Sequence, residues 1–142
     1  CDKCIPNDDK YRLCEENGIE LTEYEKRNYS LVHAKLGAFL AETEYGAEDR
    51  DVLEAVRTHT TGAPDMSMLQ KIVYTADFIE PNRDDIIADM NFYRALAFED
   101  IDEAVYLIEE RSLRYLAEKG REVDPLSLDA YNFYKNIHDS KK

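Results

Sequence analysis

The chain has 142 residues, with 18 Lys and Arg against 31 Asp and Glu, a net charge of −13, and 44% hydrophobic residues. That length supports one domain with a packed core, and so acidic a chain argues against nucleic acid or an anionic membrane as the main partner, because both are gripped through Lys and Arg. An anionic small substrate would need a local cation, most simply a metal, and the lack of an apolar run long enough for a signal-peptide core or a membrane span points to the cytoplasm.

Five glycines, four prolines and no sustained apolar-polar alternation predict helices nearly throughout. A first helix is expected over 8–16, after Pro6-Asn7 and before Asn17-Gly18. The next runs from 29 or 30 to 45, with Leu31, Val32, Leu36, Phe39 and Leu40 on one face and Gly46 as C-cap. His33 rides on this helix, and Gly37 leaves room for something to approach. A third covers 49–59, with Val52, Leu53, Ala55 and Val56 inward, and stops before Thr60-Thr61-Gly62-Ala63-Pro64. Ser67 caps a helix over 68–79 whose inner face reads Leu69, Ile72, Val73, Ala76 and Ile79. Asp77 lies at the edge of that face, where a carboxylate is costly to bury without a cation or hydrogen bonds.

Beyond Pro81 the pattern gives a short helical stretch with Ile86, Ile87 and Met90, and a loosely patterned segment from Phe92 to Phe98. A long helix over 101–119 follows, ended by Gly120, and then a last helix to about 138, capped by Asp124 with Pro125 in its first turn. Six to seven helices without a linker or repeat imply a compact all-α bundle in a single domain.

The chemistry is concentrated in Arg57-Thr58-His59-Thr60-Thr61-Gly62 and, one helix later, Thr75-Ala76-Asp77-Phe78-Ile79-Glu80-Pro81-Asn82-Arg83. A histidine at one helix end, an aspartate near the end of the next, a small polar turn and an arginine fit a metal and phosphate site. With His33 added, three ligands come from three helices, as a metal site inside a bundle needs. Each residue also has a plainer reading. A helical histidine is often a hydrogen-bonded core or surface residue, the Thr-Thr-Gly stretch can be an ordinary turn, and Arg83 can be half of a surface ion pair. His138, near a polar C-terminus, reads as a non-ligand, and the ten tyrosines as amphipathic packing residues. Cys1 and Cys4 form a CxxC, but without a second CxxC or a thioredoxin-like pattern they and Cys14 read as reduced cysteines.

Leu31-Val32-His33-Ala34, the HTTG block at 59–62 and the ADFIEPNR block at 76–83 together resemble the YqeK-type branch of the HD-domain metal-dependent phosphohydrolases. The resemblance extends to Glu118-Lys119-Gly120-Arg121 and the helix after Pro125. It implies a symmetrical dinucleoside tetraphosphatase that cleaves diadenosine tetraphosphate to two ADP at a centre of two metal ions, commonly iron, with manganese or cobalt as alternatives. It makes His33, His59 and Asp77 metal ligands, assigns Lys3 and Arg83 to phosphate, and places Thr60, Thr61, Gly62, Glu80 and Asn82 around the substrate.

Family members also carry an earlier histidine and a His-Asp doublet, followed after two residues by a lysine. Lys3 matches that lysine, so the doublet should precede Cys1, and we expect the domain to lack its N-terminal portion. The competing reading is a catalytically incomplete HD-like module that binds a nucleotide or a protein partner without hydrolysis. A third is an HD phosphohydrolase acting on another nucleotide. A homodimer is left open.

Overall fold

The computed structural model describes residues 5–81 and 89–142, and everything regular among them is helix. The helices are α1 (Asn7–Glu16), α2 (Glu23–Arg27), α3 (Tyr29–Thr43), α4 (Arg50–Thr58), α5 (Met68–Phe78), α6 (Met90–Glu99), α7 (Ile101–Glu118) and α8 (Pro125–Ser140). They fall into two compact units, the first ending at Thr60 and the second beginning at Thr61.

In the first unit α1, α2 and α4 all pack on α3. Cys14, Val32 and Leu36 form its buried centre, flanked by Ile5, Tyr11, Leu13, Phe39 and Leu40. The sequence reading missed α2, whose five residues are too few to show a period. Its start is nonetheless written in Thr22 and Glu25. The Thr22 hydroxyl accepts from the Glu25 amide at 3.1 Å, and the Glu25 carboxylate accepts from the Thr22 amide at 2.7 Å. The same carboxylate, only 8% exposed, accepts from Lys35 Nζ at 2.7 Å, so this buried charge is paired. α3 stops at Thr43 rather than running to 45, and Gly46 sits in the turn beyond its cap with φ of +69°.

The space at Gly37 is taken by α4, since a Cβ there would lie 3.5 Å from Val56 Cγ1. On α4 the expected inner face needs one correction. Leu53, Ala55 and Thr58 are buried, but Val52 is 39% exposed.

The second unit is built around α7, against which α5, α6 and α8 pack. Met66, Tyr74, Val105, Tyr106, Ile108 and Tyr134 form its core. The expected inner face of α5 stands in part, with Leu69, Val73 and Ile79 half-buried. Tyr74 and Thr75 are the buried residues and Phe78 packs against the core, whereas Ile72 is 49% exposed and Ala76 and Asp77 are exposed. Tyr74 and Phe78, one turn apart, offer larger apolar surfaces than the aliphatic stripe and take the position facing the core. The cap held, as Ser67 and Gln70 form a reciprocal capping box.

The segment read as loosely patterned is the regular helix α6. It is fixed to the end of α5 by the Arg94 guanidinium, which donates to the Ile79 carbonyl at 3.0 and 3.2 Å, and by edge-on packing of Tyr93 on Phe78. Ile86 and Ile87 lie outside the described residues. α7 ends with Gly120 at φ of +61°, and Asp124 caps α8 by accepting from the Leu126 amide at 2.7 Å. His138 is engaged structurally. Its Nδ1 lies 2.7 Å from the Glu103 carboxylate and its ring stacks on Tyr106.

Candidate metal centre and the adjoining turn

His33 lies one turn into α3, and His59 is the C-cap of α4. One turn beyond His33, Gly37 meets Val56, so the close approach of these helices carries the two rings to one another. Their Nε2 atoms are 3.0 Å apart. Each Nδ1 lies 2.6 Å from a carbonyl of its own helix, Ser30 for His33 and Val56 for His59. A carbonyl only accepts, so both Nδ1 atoms carry hydrogen and both Nε2 lone pairs point into the same gap. Two lone pairs at that distance repel unless a proton or a cation lies between them.

The donor set therefore fits a metal ion. Two imidazole nitrogens each about 2.1 Å from one ion stand about 3.0 Å apart at a right angle and about 3.4 Å apart at a tetrahedral angle. The Nδ1-to-carbonyl bonds are the usual means of fixing tautomer and ring plane in a ligating histidine. The C-terminal end of α4, with its partial negative charge, favours a cation at His59. Thr60 Oγ1 lies 3.3 Å from both Nε2 atoms, within reach of anything bound to them.

Asp77 belongs to the second unit, on the last turn of α5, with its side chain exposed. Among the described residues no group of three or more His, Cys, Asp or Glu is placed to hold a metal. Glu80 is half-buried just past α5. Lys3, Asn82 and Arg83 lie outside the described residues, as do Cys1 and Cys4. Thr61 and Gly62 form a turn held within the second unit. The Thr61 hydroxyl donates to the Gly62 carbonyl at 3.0 Å, and the Thr61 carbonyl accepts from Ser127 Oγ of α8, also at 3.0 Å. Gly62 is buried at φ of +65°, a conformation suited to glycine.

Beneath this turn lies a residue that the sequence reading passed over. Glu109 of α7 is 1% exposed, and burial drives its carboxyl up to about 8, against the lowering effect of a hydrogen bond from Tyr74. The signal was its position, one turn after Val105 and next to Ile108 on the face that α7 buries. Elsewhere, a cleft of about 340 Å3 in the first unit is lined by Asn17, Lys35, Phe39, Glu42 and Arg57 among others, but by neither histidine. Its cations are already paired, Lys35 with Glu25 and Arg57 with Glu54.

No family model matches the chain. It is 38% identical over 106 residues to a symmetrical bis(5'-nucleosyl)-tetraphosphatase of Bacillus subtilis, covering 75% of this chain and 56% of that protein. The protein of the same name from Halalkalibacterium halodurans is 40% identical over 102 residues, 72% of this chain and 54% of that one. That of Staphylococcus aureus is 32% identical over 121 residues, 84% and 60% respectively. Among solved structures, a predicted HD superfamily hydrolase involved in NAD metabolism from Clostridium acetobutylicum matches with a TM-score of 0.89 and 34% identity, over all of this chain and 72% of that one. The chain belongs to the HD superfamily of hydrolases. It is a homologue of the symmetrical tetraphosphatases, and it spans between half and two thirds of the length of these three relatives. The all-α bundle expected from sequence is that of its HD superfamily neighbour. No described helix is long and apolar enough to cross a membrane.

Proposed function

We propose that this HD-superfamily chain carries out metal-dependent hydrolysis of dinucleoside polyphosphates, cleaving diadenosine tetraphosphate to two ADP. The observation that supports this most directly is the meeting of His33 and His59 through their Nε2 atoms, with each Nδ1 engaged by a carbonyl. In the reaction, water attacks one of the two inner phosphorus atoms, the bridging P–O bond between them breaks, and the protons of the water are shared between the two ADP products.

In this reading His33 and His59 hold a divalent cation, iron first and manganese or cobalt as alternatives. When bound, the metal supplies Lewis acidity to a phosphoryl oxygen and brings the ionisation of a water toward neutral pH. The helix carbonyls that accept from Nδ1 keep both rings in the orientation that presents Nε2. Thr60 offers a hydroxyl beside both nitrogens. Asp77 is proposed as a further ligand, Lys3 and Arg83 as phosphate cations, and Thr61, Gly62, Glu80 and Asn82 as substrate contacts. These assignments rest on the motif resemblance and on the names of the relatives.

The test is to incubate the full 142-residue chain with diadenosine tetraphosphate and iron, manganese or cobalt, and to separate ADP from AMP and ATP. ADP as sole product is expected. AMP together with ATP would reject symmetrical cleavage, and binding without turnover would favour the non-catalytic module.

A further inference from the structure

Glu109 occupies a core position on α7, and its Oε1 is a buried oxygen with no hydrogen-bond partner. The Tyr74 hydroxyl of α5 lies beside the carboxyl. An apolar side chain would fill the same space without leaving a polar atom unsatisfied, so core packing by itself does not account for a glutamate here.

What that oxygen does meet is the turn at Gly62. A Cβ at position 62 would overlap Glu109 Oε1, closer than real Cβ atoms come to anything, and would stand 3.4 Å from the Ala130 Cβ of α8. This steric limit is separate from the positive φ at Gly62. The neighbouring Thr61 carbonyl is fixed from α8 by Ser127. The turn is therefore gripped by α8 at Thr61 and seated on Glu109 at Gly62.

We propose that Glu109 is a positioning residue: its carboxyl, beside Tyr74, seats the Thr61-Gly62 turn so that the turn's backbone N–H groups are presented to a phosphate oxygen. The presentation to phosphate rests on the function proposed above, whereas the seating of the turn does not. Burial keeps the carboxyl protonated near neutral pH, which makes it a flat, uncharged group that a glutamine can copy. Methionine fills a similar length of core but has no planar polar end.

The experiment compares the full chain, its Glu109→Gln and its Glu109→Met variants, by amide hydrogen exchange across residues 61–66 and by steady-state kinetics on diadenosine tetraphosphate with added manganese. The Gln variant is expected to match the parent in both. The Met variant is expected to exchange about tenfold faster at Thr61 and Gly62. It should also raise KM about tenfold with kcat within about twofold, a split that general loss of stability would not give. Parent-like exchange in the Met variant overturns the inference, as does a Gln variant that behaves like Met. Faster exchange in the Met variant, with no turnover by any of the three proteins, upholds the seating role and defeats the hydrolytic function proposed above.

Discussion

His33 and His59 are tied to their own helices in the same way: each ring donates from Nδ1 to the carbonyl three residues back, at 2.6 Å in both cases. The two rings meet nearly perpendicular, with centroids 4.9 Å apart. Backbone therefore fixes both orientations before anything binds, which lowers the ordering cost of taking up a cation.

Replacing either histidine with alanine should remove one of the two donors while leaving the bundle folded. His33→Ala and His59→Ala are each expected to lose bound metal on dialysis and to lower turnover of diadenosine tetraphosphate by at least about 100-fold. Metal analysis beside circular dichroism checks this, and parent-like metal content in both variants would contradict the assignment.

Asp77 gives a different signature, because its side chain is exposed. Asp77→Asn should shift stability by no more than about 0.5 kcal/mol, the usual range for surface substitutions, while turnover collapses. Urea unfolding and a product assay on the same preparation separate the two effects. Full activity in the variant would remove Asp77 from the proposed ligand set.

Glu109 predicts a slope of stability with pH. Its carboxyl titrates near 8 in the folded chain, raised by burial from an ordinary value of 4.5. Between those values the folded chain holds a proton that the unfolded chain has released, so stability falls as pH rises through the window and the loss is complete above it. The size is on the order of 5 kcal/mol. Tyr74 and Tyr134 face the same region, and both are pushed upward, Tyr134 to about 12, so they stay neutral throughout. Glu109→Gln should flatten this part of the profile. Urea midpoints at pH 5.5 and 8.5 decide it, and equal slopes for parent and variant would refute the prediction.

Gly37 makes a test of the contact between α3 and α4. A Cβ at 3.5 Å from Val56 Cγ1 is ordinary van der Waals contact, and alanine favours a helix interior over glycine by about 0.8–1 kcal/mol. Gly37→Ala should therefore raise the melting temperature by a few degrees with metal binding retained. Gly37→Leu, which cannot fit that spacing, should separate the helices and lose metal. A lower melting temperature for the Ala variant would show that the helices approach more closely than this.

Long helices with chemically marked ends could be read from the sequence. Ser67, Asp124 and Gly120 each do at a terminus what their residue type suggests. α2 escaped because five residues hold little more than one turn, although Thr22 and Glu25 carry a capping signal. α6 escaped because Phe92 and Phe98 remain exposed while Met90 is buried, so its apolar residues do not share one face. On α5 the aliphatic spacing gave the face only in part, because Tyr74 and Phe78 between the aliphatics took the core.

The candidate centre was legible in part. His33 and His59 stood out by motif, and they are in contact. Glu109 did not stand out, because among Glu103, Glu110 and Glu118 on the same helix it looks like one more solvated acid. Only the packing of α5 and the Gly62 turn against α7 distinguishes it.

Because His59 sits at the very end of α4, its bearing is recorded in that helix's residue count. Each residue of an α-helix advances the chain by 1.5 Å and turns it by about 100°. One residue inserted between Arg50 and Thr58 would swing the imidazole away from His33, although composition and hydrophobicity would barely change. Drift in the length of α4 would thus silence the centre without touching either histidine.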